Sequence, residues 1–448
     1  MNLHKNLTKT ALSCLVFSIY LQGGAAHAAA LDVSQQPLML VDSVAPNLIF
    51  TIDDSGSMKR SHTPDGIAAD ATMRTKRVKS AAFNPNYYDP NTTYIIPRGV
   101  NSDGADIIYS TSFTNAYHMG FKTGFGSVNL SNSYRVTWYC TRDLVGNCSY
   151  TVNGFGSIKE LAENPAEDFD VTVSLVNGTS TTVTTPGGMV YTIARTGGTT
   201  CSVTGAGYVN STARCVQTNG TGARNARVNL TQQPVAAYYY VFDTSRPGCN
   251  ATSTNNDNCY RVQLVQAAEQ QNFAIWYSFY RDRALATQSA AHLAFYDLPS
   301  AVRFTWQALN NCTVLNGGTG CNNNRFRIFS NRHKSNFLTW LTDVTFSGGT
   351  PLRETLDRAG KFLQTNAAWA NEPNPFTSSG GNGTTVQNPE YACRPSFHIL
   401  MTDGMWNGAN GSPGASPRVD HANFNLPDGQ SYVNTRTPYA DATTNTLA

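Results

Sequence analysis

The sequence predicts an α/β fold: a doubly wound, mostly parallel sheet carrying a large β-rich insertion. Three features lead there. Residues 47–52 form a short apolar run of the kind a buried strand requires, and the run ends in the tight turn Asp53-Asp54-Ser55-Gly56-Ser57. Residues 397–401 repeat the pattern and end in Thr402-Asp403-Gly404. Between about residue 263 and residue 402, strand-like and helix-like stretches alternate, which implies parallel strands with helices on both faces.

Each element has its own signal. Residues 265–295 read as one long helix, with Phe273, Trp276, Phe279, Tyr280 and Ala284 at helical spacing. Residues 302–306 read as a strand, and 331–343 as a helix with Phe337 and Trp340 facing inward. Ser347-Gly348-Gly349-Thr350 is a Gly-rich loop; Pro351 stands where the first residue of a helix belongs, and 353–363 continue it. Residues 396–402 supply the last strand. From Trp406 to Ala448 the chain is polar and rich in Asn, Gly, Pro and Ala, with no convincing strand or helix. A doubly wound domain needs at least one more helix and strand, so the domain is expected to be incomplete at its C-terminus.

Between Met58 and about residue 262 lies the insertion. Residues 134–139, 168–176, 181–185, 189–194 and 236–242 read as strands, and Pro186-Gly187-Gly188 as a turn between two of them. Tyr238-Tyr239-Tyr240 reads as a strand with alternating burial. The expected organisation is therefore 1–28 signal peptide, 29–58 first part of the sheet domain, 59–262 insertion and 263–448 remainder of the domain. At roughly 100–200 residues per domain, a chain of 448 residues has room for two or three such units.

Composition narrows the setting. Charged residues make up 14% and the formal net charge is +3, so nothing marks a nucleic-acid partner. The small basic cluster Lys76, Arg77 and Lys79 reads as a solvated face. His4, Lys5 and Lys9 precede an apolar core at 11–21 and the small-x-small signal Ala26-His27-Ala28, which predicts export with cleavage after Ala28. No later segment has the ~18 apolar residues of a membrane-spanning helix. Cysteine usage agrees with export. Of ten cysteines, Cys14 leaves with the signal, and eight form close sequential couples: Cys140 with Cys148, Cys201 with Cys215, Cys249 with Cys259, and Cys312 with Cys321. Sequential pairing is the expectation; Cys393 has no evident mate. No Cys-x₂-Cys spacing suggests zinc.

Asp53, Ser55, Ser57, Thr350 and Asp403 place hydroxyls and carboxylates on three loops, each beside a strand end or a helix start. Hydroxyl and carboxylate oxygens are hard donors that suit Mg²⁺, with Mn²⁺ or Ca²⁺ as alternatives. Asp54, alternating with Asp53 on the turn, reads as structural. Here the chain resembles the von Willebrand factor A domain, whose metal-ion-dependent adhesion site has this three-part pattern. Hydroxyl ligands carry no charge and leave the cation a vacancy that a partner's carboxylate would suit. No Gly-x-Ser-x-Gly elbow and no Gly-x₄-Gly-Lys-Ser/Thr loop occurs, and neither aspartate turn holds a histidine or lysine as general base. The chain is read as a binding protein, not an enzyme; a metal-dependent hydrolase is the enzymatic rival. Asn255 to Asn258 lack the spacing of an EF-hand calcium loop.

Three further stretches sharpen the resemblance: Phe83 to Pro90 (Phe-Asn-Pro-Asn-Tyr-Tyr-Asp-Pro), Asn272 to Arg283, and Met401 to Gly408. With the signal peptide and split A domain, they resemble the N-terminal region of the PilC/PilY family of type IV pilus tip adhesins and biogenesis factors. The resemblance implies export to the periplasm, the outer surface or the pilus tip. It also implies a role in pilus assembly, twitching motility and attachment, with minor pilins or host surface ligands as partners. The rival is an exported A-domain binding protein unrelated to pili.

Overall fold

The computed structural model describes residues 45–63, 75–139, 236–369 and 394–404 continuously, with Asn407, short stretches between 158 and 230, and the pairs 424–425 and 431–432. The expected signal peptide, Cys393 and most of the tail lie outside the described residues.

The central sheet is built on β1 (Asn47–Ile52). Two helices, α1 (Gln270–Phe279) and α2 (Arg283–Tyr296), lead into β2 (Arg303–Ala308) and the short β3 (Arg327–Ile328). Then come α3 (Asn331–Asp343), α4 (Leu352–Leu363) and β4 (Ser396–Met401). The strand order is β3-β2-β1-β4. β1 runs parallel to both neighbours, with Phe50 opposite Trp306 on one side and Ile399 on the other. β3 pairs antiparallel with β2 at the edge. The strand alternation sorts the two faces. Phe50 and Ile52 of β1 join Phe304 and Trp306 of β2 in a core closed by Phe295 of α2 and by Phe337 and Trp340 of α3. Ile49 turns to the other face and meets Ala359 of α4. Helices therefore cover both sides of a mixed, mainly parallel sheet.

The expected single helix 265–295 is two. α1 ends at Phe279, and Asp282 takes an extended backbone and caps α2, its carboxylate accepting from Leu285 N–H at 2.8 Å. Apolar residues continue through the break although α1 packs mainly with the inserted region and α2 with the sheet core, so only the cap marks it. Pro351 stands one position earlier than expected, as the N-cap of α4. In the tail, the two-residue strands Phe424–Asn425 and Ser431–Tyr432 pair antiparallel where no strand was expected.

The inserted region packs on α1. Its antiparallel hairpin Tyr238–Phe242/Tyr260–Leu264 buries Tyr238, Tyr239 and Tyr240 together. The expected alternation fails because both faces are covered: Tyr239 meets Tyr88 and Glu269, while Tyr238 meets Tyr134. Lys79, expected on a solvated face, is buried with its ammonium 5.4 Å from the Tyr240 ring. Neighbouring backbone N–H groups of Lys76 and Arg77 donate to Asp257. The strands Ser180–Thr184 and Val190–Gly197 fall on stretches read as strands, whereas of the expected strand 168–176 only the first two residues lie in one, Glu167–Phe169, and residues 173–176 lie in none. Among the described residues, no helix is long and apolar enough to cross a membrane.

Two of the four expected disulfides are present, Cys249–Cys259 and Cys312–Cys321. The other two expected couples differ in how far the structure reaches them. Cys140 and Cys148 both lie outside the described residues. Cys201 and Cys215 sit on described strands, but their side chains lie outside the described residues. Cys312 and Cys321 are fully buried, and the Cys321 carbonyl accepts from Trp306 Nε1 at 2.9 Å. Replacing both by serine is expected to lower unfolding free energy by about 2–4 kcal/mol in denaturant titration under oxidising conditions.

Candidate metal centre

Parallel strands leave their C-terminal ends open at one edge of the sheet, where open α/β sheets place their ligands. Three loops meet there. The first follows β1, the second precedes α4 and the third follows β4. Backbone hydrogen bonds tie them together. Asp53 N–H donates to Met401 O at 2.8 Å, Gly56 N–H to Gly348 O at 3.2 Å, and Asn407 N–H to Thr350 O at 2.9 Å. Gly348 sits at φ +95°, a left-handed conformation, and a Cβ there would lie 3.0 Å from Asn310 Oδ1, so this loop needs glycine.

The oxygen-bearing side chains of Ser55, Ser57 and Asp403 converge accordingly. Asp53, Ser55 and Thr350 are buried, and the Asp403 side chain is 7% exposed. Ser55 Oγ and Ser57 Oγ stand 3.0 Å apart, and Ser57 Oγ donates to Asp403 Oδ1 at 3.0 Å. Asp53 Oδ1 accepts from Ser55 N–H at 2.8 Å and its Oδ2 from Thr402 Oγ1 at 2.7 Å. Thr350 is held by its backbone, its N–H donating to Asn407 Oδ1 at 2.7 Å. Burial pushes the Asp403 carboxyl above its ordinary value, opposed by the hydrogen bond and charge of Arg283.

This donor set suits a small hard cation. In an Mg²⁺ octahedron with oxygens at about 2.0–2.1 Å, adjacent ligands lie about 2.9–3.0 Å apart. The hydrogen-bonded spacing from Ser55 Oγ through Ser57 Oγ to Asp403 Oδ1 matches two such edges. No group of three or more His, Cys, Asp or Glu side chains able to hold a metal occurs among the described residues, so any cation at this edge would depend on the hydroxyls.

Asp54 points away from this cluster, as its alternate place on the turn implies. Its Oδ1 accepts from Asn310 N–H and Nδ2, and its Oδ2 from Asn311 N–H and Nδ2, all at 2.8–2.9 Å. Asn310 Nδ2 also donates to Gly349 O at 2.9 Å, joining the first two loops.

Comparison with known proteins decides the lineage. The chain is 38% identical over 451 residues, 98% of its length, to the type IV pilus biogenesis factor PilY1 of Pseudomonas aeruginosa strain PAK. The PilY1 proteins of strains PAO1 and UCBPP-PA14 are 36% and 35% identical over 98% and 94% of the chain. The chain belongs to the PilC/PilY family. It spans only 28–30% of the length of these relatives. No family profile and no solved structure matches it.

The PilC/PilY motifs prove to be partners in space. Tyr87 and Tyr88 of the first pack on Trp276 and Phe273 of the second, with centroids 5.0 and 4.8 Å apart. Asn84 is fully buried, its Nδ2 donating to Ser61 O and Val78 O. The second motif ends at Arg283, which reaches Asp403 in the third. Arg283, Thr402, Asn407 and the pair Asn310/Asn311 all support the site and were not singled out from sequence. The first three lie inside or beside the family motifs, the signal that could have found them. Asn310 and Asn311 carry no local signal, because their work is to fill a carboxylate 256 and 257 residues away.

Proposed function

We propose that this chain is the metal-dependent recognition part of an exported, type IV pilus-associated adhesion and assembly protein. The observation that carries the reading is the continuous oxygen cluster Ser55–Ser57–Asp403, stitched from separate loops at the sheet's carboxyl edge. A bound Mg²⁺ would supply a Lewis-acidic centre able to take a carboxylate from a partner. Asp53, Ser55, Ser57, Thr350 and Asp403 would hold it. The chain's own groups orient that set: Asn407 fixes the Thr350 loop, and Thr402 and the Ser55 N–H fix Asp53. On this reading the three loops would form a von Willebrand factor A-like adhesion site.

The pilus connection is supported by the relatives, named as type IV pilus biogenesis factors. Minor pilins or host surface ligands are the proposed partners, and the pilus tip or outer surface the proposed location, reached by the signal at residues 1–28. Binding is favoured over hydrolysis because His398, the histidine nearest Asp403 in sequence, is engaged with Thr51 Oγ1 at 2.7 Å within the sheet.

Calorimetric titration with Mg²⁺ tests the site. The chain is expected to bind saturably, and Ser55→Ala/Ser57→Ala to abolish that binding while remaining folded. Equal affinity in the double variant would defeat the assignment. Recovery of pilins with the wild-type chain but not with the double variant would connect the site to the pilus.

A further inference from the structure

We propose that Arg283 is a selectivity residue of this cation site: it occupies one oxygen of Asp403 and so favours a small, hydrated divalent ion over calcium. The inference rests on the metal reading above and deepens it.

Arg283 is the first residue of α2 and is 3% exposed. Its position is over-determined. The backbone N–H donates to Arg60 O at 3.0 Å, Nε to His62 O at 2.6 Å, and a terminal nitrogen to Asp403 Oδ2 at 2.5 Å. A guanidinium keeps its charge and cannot accept a hydrogen bond, so it acts as a fixed cation beside the cluster.

The consequence is electrostatic. Asp403 Oδ2 carries the Arg283 guanidinium, whereas Oδ1 accepts only from the neutral Ser57 hydroxyl, so Oδ1 is the oxygen placed to serve a cation. Both oxygens of Asp53 are likewise engaged, by Ser55 N–H and Thr402 Oγ1. Each carboxylate oxygen keeps a second lone pair and can hold an ion alongside its hydrogen bond, but a clasp by both oxygens of Asp403 would set the ion beside the Arg283 guanidinium held on Oδ2, and that repulsion disfavours it. Ca²⁺ favours six to eight ligands, including two-oxygen carboxylates; Mg²⁺ accepts single oxygens and retains water. The charge balance points the same way. Two carboxylates against one guanidinium leave one net negative charge, so a bound divalent ion leaves the site positive and open to an anionic partner group.

The test is calorimetric titration with magnesium chloride and with calcium chloride. The wild-type chain is expected to bind Mg²⁺ more tightly than Ca²⁺. Arg283→Met frees Asp403 Oδ2 and is expected to shift the affinity ratio toward Ca²⁺ by about tenfold or more. Arg283→Lys, which keeps a cation on that oxygen, is expected to retain the wild-type ratio. Thermal melting establishes that each variant is folded. Tighter Ca²⁺ than Mg²⁺ binding by the wild type overturns the proposal even if Arg283→Met does not fold. An unchanged ratio in folded Arg283→Met overturns the role of Arg283 alone. Absence of any saturable binding to the folded wild type overturns the metal reading and this inference together.

Discussion

Asp54→Ala is expected to destabilise the protein by about 1–3 kcal/mol and to weaken Mg²⁺ binding at least about tenfold, although Asp54 points away from the proposed cation. Its carboxylate is fully buried and accepts four hydrogen bonds from Asn310 and Asn311. Alanine would leave those donors without their acceptor, and although water can reach the exposed Asn311, the partly buried Asn310 donors lose a bond that solvent replaces only in part. The loss spreads because Asn310 also holds Gly349 O at 2.9 Å. The loop carrying Thr350 thus loses one wall. Urea unfolding at neutral pH and Mg²⁺ titration of the folded variant check the two effects. Asp54→Asn is expected to be milder, since it retains one acceptor oxygen. A stability change below about 1 kcal/mol in Asp54→Ala would refute the bracket described here.

Acidification is expected to destabilise the fold steeply between about pH 6.5 and pH 4, through two histidines far from the site chemistry. His333 is fully buried with Nε2 against Phe304 O at 2.9 Å and its ring beside Trp306; burial pushes it down to about 3. His292 lies stacked on Phe121 with Nδ1 on Arg98 O; burial pushes it down to about 4. Both are neutral in the folded state. Below an unfolded value of about 6.5, the unfolded chain takes up protons that the fold refuses. Stability is therefore fully present above that pH and lost as pH falls toward the folded values, at up to about 1.4 kcal/mol per unit for each histidine. The raised carboxyls of Asp54 and Asp403 act in the opposite sense: their protonation favours the folded state, which blunts the loss at the acid end. Denaturant midpoints at pH 7, 5.5 and 4.5 measure the net slope. His333→Gln is expected to flatten it, and an equal slope in that variant would show that the burial of His333 has no part in it.

The sequence by itself determined the elements whose signals are local. The run 47–52 had to be a strand because its apolar residues are too few for a helix and are bounded by a turn, and β1 spans those residues. Phe337 and Trp340 recur at helical spacing, and α3 occupies the expected 331–343. The turns that carry Asp53, Ser55, Ser57, Thr350 and Asp403 were legible because turns after strands and before helices have their own residue chemistry, and sequential cysteine couples marked two disulfides. Only the tertiary structure decided what depends on neighbours distant in the chain. The break between α1 and α2 falls where the chain passes from the core of the inserted region to that of the sheet, not at a loss of apolar residues. The burial of Lys79 and of all three tyrosines at 238–240 follows from packing on both faces of a hairpin. Arg283 is an ordinary helix-opening residue until the fold sets it against Asp403, 120 residues on. Hydrogen bonds and ion pairs act over a few ångströms of space, whatever the separation along the chain, so the turns could be read locally but the contacts that join them could not.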